Sequence, residues 1–127
     1  MLFGGPVGAL TGFFGHMVSA MLSGFPLSLP LHIGVALEMA VICYITGVLA
    51  KDGGKKVALA AVLAFVLNGF VSPAILIVWP GLGMGAYLTY LLPLALASGV
   101  NAFFALALYY PIQKAKEKMA AVKNEKG

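Results

Sequence analysis

The chain has 127 residues, of which 61% are hydrophobic and only 9% are charged, whereas about 25% of residues are charged in a typical soluble domain. This composition excludes a soluble globule, which needs more polar surface, and it excludes a disordered chain, which needs fewer apolar residues. Because one transmembrane helix takes about 20 apolar residues, the length predicts an all-α membrane helix bundle of about four transmembrane helices.

Four apolar segments follow one another along the chain, separated by breaks that contain glycine, proline or lysine. The segments cover approximately residues 2–22, 31–50, 57–79 and 86–110. Glycine and proline are typical of turns, so the breaks mark the connections between helices. Pro111 opens a polar stretch after the fourth segment. We therefore expect a transmembrane bundle over residues 1–113 and a lysine-rich cytoplasmic tail over residues 114–127.

The distribution of charge predicts an orientation. The eight basic residues are all lysines, and they lie at residues 51–56 and 114–126, outside the apolar segments. Since lysine-rich loops stay in the cytoplasm, we expect a multi-pass protein of the cell (plasma) membrane with both termini cytoplasmic. The sequence has no basic face with stacking aromatic residues, so no nucleic-acid partner is predicted. Membrane lipid is expected to surround the protein.

Small residues recur at four-residue spacing in three of the segments, and a polar residue lies on each of these stripes. The stripes are Gly4, Gly8, Gly12 and His16 in the first segment, Ala60, Ala64, Asn68 and Ser72 in the third, and Ala97, Asn101 and Ala105 in the fourth. Helices in lipid associate where small residues let their backbones approach. We expect these stripes to face the interior of the bundle.

Glu38 is the only acidic residue within an apolar segment. An ionisable group at that depth is costly unless it is paired or hydrated. At a rise of about 1.5 Å per residue, Glu38 and His16 lie at similar depths, roughly 10 Å below the outer ends of consecutive antiparallel helices. A His16–Glu38 hydrogen bond or ion pair is therefore expected, either as a structural contact or as the polar anchor of a ligand that enters from outside.

Three further residues are candidates for a binding site. Asn68 and Asn101 either connect helices through hydrogen bonds or contact a ligand. Trp79, with Tyr87, Tyr90 and His32 at the same outer end, either belongs to the interfacial aromatic belt or caps a pocket. The candidate substrate-binding set is His16, Glu38, Asn68, Trp79 and Asn101. No metal-ligand spacing, nucleotide-binding loop or nucleophile signature occurs, so neither a cofactor nor an enzymatic activity is predicted.

The stretch Phe3-Gly-Gly-Pro-Val-Gly-Ala-Leu-Thr-Gly-Phe-Phe-Gly-His16 resembles the glycine-rich helix of the substrate-specific S components of energy-coupling-factor (ECF) vitamin transporters. The following stretch, residues 23–34, is also similar to the entry into the next helix of some members. The resemblance implies a bundle that binds a vitamin or related micronutrient and docks on a membrane T component carrying two ATPase subunits. The family has six helices, which implies that the first two are absent here through truncation or in a minimal relative.

The resemblance favours a substrate-binding subunit of an ECF-type importer for a vitamin or cofactor precursor. Two other functions stay open on the sequence. One is a small proton-coupled transporter that acts as a dimer and uses Glu38, and the other is a structural subunit of a larger membrane complex.

Overall fold

The computed structural model describes residues 3–125, and at positions 123 and 125 the backbone alone. Leu2, the predicted start of the first segment, and Lys126 of the predicted tail lie outside these residues. The described chain is helical and contains no strand. It comprises α1 (Gly4–Leu22), α2 (Leu29–Ala50), α3 (Lys55–Val66), the short α4 (Ile75–Val78) and α5 (Met84–Glu125). The predicted all-α helix bundle is confirmed.

Within residues 3–125, three helical segments are long and apolar enough to cross a membrane. They are α2, the α3–α4 segment (Lys55–Val78) and Met84–Val122 of α5. The remaining long helix, α1, has 19 residues, and its glycines and His16 lower its hydropathy. The four predicted segments therefore correspond to four long helical stretches, three of which have the length and composition of a membrane span.

The closest packing in the bundle joins α1 to α2. A Cβ atom on Gly12 would lie 2.5 Å from the backbone oxygen of Met39, and a Cβ atom on Gly47 would lie 2.6 Å from that of Gly4. The backbones can approach this closely because glycine has no side chain. The predicted glycine stripe of the first segment thus faces the interior, where it fixes the register of an antiparallel pair.

The third apolar segment is broken near its middle. After α3 the backbone forms a π-helical turn over Leu67–Val71 and a 3₁₀ turn over Ser72–Ala74 before α4 begins. Pro73 lacks the N–H group that a continuous helix would use, and asparagine, glycine and serine are weak helix formers. The predicted segment over residues 57–79 is thus one helical stretch whose hydrogen-bonding pattern changes near its middle.

The fourth segment does not end at Tyr110. α5 has 42 residues and continues through Pro93 and Pro111 to Glu125. At about 1.5 Å per residue it is about 63 Å long, twice the roughly 30 Å hydrocarbon core. The lysine-rich stretch is therefore a helix that projects beyond the span, because alanine, lysine, glutamate and glutamine favour helix.

The order of packing leaves a cleft. α1 packs on α2, α2 packs on α3, and α5 packs on α3 and on the turns that follow it. We call the end with the 51–54 loop and residues 111–125 the basic end, and the other the distal end. At the basic end, Ala50, Val57, Ala60 and Tyr109 form a buried cluster. The cleft lies between the outermost helices, α1 and α5.

Candidate functional site

Two adjoining cavities occupy the cleft between α1 and α5. The proximal cavity, toward the basic end, has a volume of about 590 Å³, and the distal cavity has a volume of about 490 Å³. Both volumes are typical of small-molecule sites. The residues that line both cavities are Thr11, Met39, Cys43, Asn68 and Asn101. These shared residues mark the level at which the two cavities meet.

Asn68 lies in the π-helical turn, and this turn carries it into the wall of both cavities. Its Nδ2 atom donates a hydrogen bond to Ser98 Oγ on α5 at 3.3 Å, and Ser98 Oγ donates to the backbone oxygen of Phe65 at 3.3 Å. Asn68 thus connects two helices and also borders the cleft. In this position Asn68 can both connect two helices and contact a ligand, which are the two roles that the sequence left open.

Glu38 does not pair with His16. Its Oε2 atom accepts a hydrogen bond from Ser72 Oγ at 2.7 Å, across the α2–α3 side of the bundle. Similar depth is not sufficient for a contact between Glu38 and His16, because the direction of each side chain around its helix also decides which residues meet. Met39 faces α1, and its neighbour Glu38 is rotated by about 100° from that face. Ser72 lines the distal cavity, whereas Glu38 lies behind it and is not among the lining residues.

The partner of His16 is His32. His16 Nε2 and His32 Nδ1 are 3.2 Å apart, and both rings line the distal cavity. One of these nitrogens donates and the other accepts, so the contact holds one proton. His32 Nε2 is buried without a hydrogen-bond partner among the described residues. The sequence indicated only that His32 lies at the same end as Trp79. His32 also lies seven positions, or two turns, before Met39, so these two residues share one face of α2.

A short loop brings an aromatic ring to the histidine pair. Phe25 lies 5.7 Å from His32 between ring centroids, and His16 lies 5.4 Å from His32. Phe25 has a φ angle of +48°, which is rare for a residue with a bulky side chain. Its N–H donates to the backbone oxygen of Ala20 at 2.9 Å. The end of α1 therefore holds the loop in a costly conformation that places the ring beside the histidines.

The remaining predicted residues differ in position. Asn101 is exposed within the cleft and lines both cavities. Trp79 is half-buried, packs near Gly34 and is not among the lining residues. Tyr90, which the sequence placed at the same end as Trp79, does line the distal cavity. The structure brings His16, Asn68 and Asn101 to one cleft, with Glu38 one hydrogen bond behind its wall.

The small-residue stripe of α5 faces the cleft, as predicted, but other residues make the close contact between helices. Ala97 and Ala105 line the cleft, one in each cavity. The close contact with the π-helical turn is made instead by Ala95 and Ser98, which approach Gly69. Ser98 was not predicted, because its neighbours in sequence give no sign of which face of α5 meets α3.

Comparison with protein-family models, curated proteins and solved structures finds no match to this chain. The resemblance to ECF S components, which the sequence suggests, thus stays a prediction.

Proposed function

We propose that this chain is the substrate-binding membrane subunit of an ECF-type ATP-driven importer for a vitamin or cofactor precursor. The observation that carries the proposal is the cleft between α1 and α5, into which a broken helix directs Asn68. Broken helices at membrane depth are typical of transporter binding sites, because they place polar groups where a ligand can use them.

The chemistry of the cleft supports binding rather than catalysis. Its lining is mostly apolar and includes hydroxyl, amide and imidazole groups, which fix the orientation of a ligand through hydrogen bonds. In this proposal a T component and two ATPase subunits supply the energy for release. The chain lies in the plasma membrane with the basic end and both termini in the cytoplasm, since lysine-rich segments remain inside.

Native mass spectrometry of the purified full chain tests the proposal, because it detects a bound small molecule and partner subunits together. We expect a bound small molecule, and we expect uptake in cells to require the ATPase subunits. Asn68→Ala and Asn101→Ala should each lower the affinity for that molecule about threefold to tenfold, the usual effect of one lost hydrogen bond. Asn124→Ala, an exposed asparagine in the projecting part of α5, is the matched control.

The proposal fails if the protein carries no small molecule, or if the two cleft variants bind it as tightly as the Asn124 control. Circular dichroism of each variant must first establish that the helices are retained. A variant that keeps its helices but binds the molecule more weakly shows that the asparagine takes part in binding. A variant that loses its helices shows only a structural role.

A proton-coupled transporter is the second candidate, and one contact favours it. Glu38 accepts a hydrogen bond from Ser72, which lines the distal cavity, so a membrane carboxylate is linked to the cleft. Proteoliposomes that contain this chain alone distinguish the two functions. Uptake driven by a pH gradient and abolished by Glu38→Gln would select proton coupling, whereas the importer subunit gives no uptake without its partners.

A further inference from the structure

We propose that the distal cavity selects a neutral or cationic heteroaromatic ligand and rejects anions. This inference rests on the proposed binding function and adds the charge class of the ligand. The inference is based on the charged groups near the distal cavity, which include a carboxylate but no lysine or arginine among the described residues.

No lysine lines the distal cavity in the part of the chain that the structure describes, and the whole sequence has no arginine. Lys51, which is the first lysine, lies 19 positions after His32, or about 28 Å along the helix. A carboxylate or phosphate in the distal cavity would therefore leave water without gaining an ion pair, which is strongly unfavourable in an apolar site.

Helix dipoles do not replace the missing cation. The positive ends of α2 and α5 lie at the distal end, because both helices begin there. The negative ends of α1 and α4 lie there too, because both helices finish there. The distal end therefore carries helix ends of both signs, and each positive end amounts to only about half an elementary charge.

The closest acidic group favours a cation. Glu38 Oε2 lies 2.7 Å from Ser72 Oγ, and Ser72 forms part of the cavity wall. When ionised, this carboxylate attracts a positive ligand and repels a negative one. When protonated, it no longer repels an anion, but it adds no positive charge to the wall. Glu38 therefore supplies no positive charge for an anion in either protonation state, and when ionised it disfavours one.

The rings at the cavity favour a flat ligand. His16 and His32 line the distal cavity, as does Tyr90 from α5, and Phe25 packs on His32. Aromatic faces attract both planar rings and cations. A heteroaromatic ring that is neutral or positively charged satisfies this surface and the hydrogen-bonding groups around it.

Three pyridine compounds of similar shape test the charge class directly: nicotinate, nicotinamide and 1-methylnicotinamide, which are an anion, a neutral amide and a cation. Their affinities for the full chain are measured by ligand-detected NMR in nanodiscs of neutral phosphatidylcholine. The measurement is made at about pH 8, where an ordinary imidazole is uncharged. We expect the amide and the cation to bind at least tenfold more tightly than nicotinate.

Two variants test the cause. Glu38→Gln keeps an oxygen that accepts the Ser72 hydrogen bond, and it should reduce the affinity for the cation to that for the amide. Glu117→Gln, an exposed residue of the projecting α5 helix, is its control and should change neither value. Asn101→Lys adds a cation at an exposed position in the cleft and should raise the affinity for nicotinate about tenfold.

The proposal is overturned if nicotinate binds as tightly as nicotinamide, or if a small molecule that co-purifies with the native protein is an anion. If none of the three probes binds but native mass spectrometry detects a bound molecule, the ligand class is wrong and the binding function stands. If neither the probes nor any co-purified molecule is bound, the binding function fails as well.

Discussion

Substitution of Gly12 by alanine should destabilise the protein, because α1 and α2 touch at this position. The added Cβ atom would lie 2.5 Å from the oxygen of Met39 and 2.9 Å from the sulfur of Cys43, whereas real Cβ atoms keep at least 3.0 Å from such neighbours. The helices must therefore separate by about 0.5 Å, a gap that already forfeits about a quarter of the local dispersion energy. Overpacking of this kind costs about 1–3 kcal/mol.

Gly15→Ala is the matched control. It lies one turn further along α1, and a Cβ atom there would meet nothing within 4 Å. Alanine also favours helix over glycine by up to about 1 kcal/mol, so this variant should be neutral or more stable. Unfolding in mixed micelles with increasing dodecyl sulfate, followed by far-ultraviolet circular dichroism, measures both. Equal stability of Gly12→Ala and the wild type, or an equal loss in Gly15→Ala, would refute the close-contact argument.

Three further predictions concern other parts of the fold. A double-mutant cycle of Asn68→Ala and Ser98→Ala should give a coupling of about 0.6 kcal/mol in the same unfolding assay, the usual value for interhelical hydrogen bonds in membranes, and strict additivity would contradict the contact. The hydrogen bond from Lys56 lowers the pKa of Asp52 below its ordinary 3.8. The contribution of this contact to folding stability is therefore complete above the ordinary pKa of Asp52 and is lost as the pH falls through the lowered pKa. NMR titration should show a higher pKa for Asp52 in Lys56→Met than in the wild type. Pro111→Ala should slow hydrogen exchange in the turns on both sides of position 111, because the new amide can donate to the backbone oxygen of Ala107 and the clash of the proline ring with the preceding turn is removed. Unchanged exchange would show that the proline does not weaken the helix there.

The sequence predicts the parts of the fold that depend on composition and spacing. The all-α bundle follows from the apolar content, and the glycine spacing at Gly8 and Gly12 predicts which side of α1 faces the interior. Apolar content and glycine spacing can both be read within a single helix, so the sequence of one segment is enough to predict them. In lipid, small residues are the main means by which backbones approach, which makes their spacing unusually informative.

The partners of individual polar side chains were less predictable. His16 and Glu38 do lie on adjacent helices, but depth gives only one coordinate of a side chain, and the direction around the helix decides the contact. The break at Leu67–Val71 was missed because its sequence is as apolar as its surroundings apart from Asn68 and Gly69. Whether a π-helical turn forms depends on contacts with other helices that offset its cost, such as the Asn68–Ser98 hydrogen bond. The sequence of one segment does not contain this information.

Each pair of neighbouring helices that packs is joined by close glycine backbones or by a side-chain hydrogen bond, which are the contacts that hold helices together in lipid. The cleft lies between α1 and α5, whose described residues are not joined in this way over most of their length. Glycine backbones join α1 to α2, the Glu38–Ser72 hydrogen bond joins α2 to the broken segment, and Asn68 joins that segment to α5. α1 and α5 approach at the basic end, where the Lys116 Nζ atom lies 5.0 Å from the centre of the Phe3 ring. Because lipid provides little hydrophobic force to close the rest of the cleft, we expect ligands to enter nearer the distal end, where the histidine pair lies.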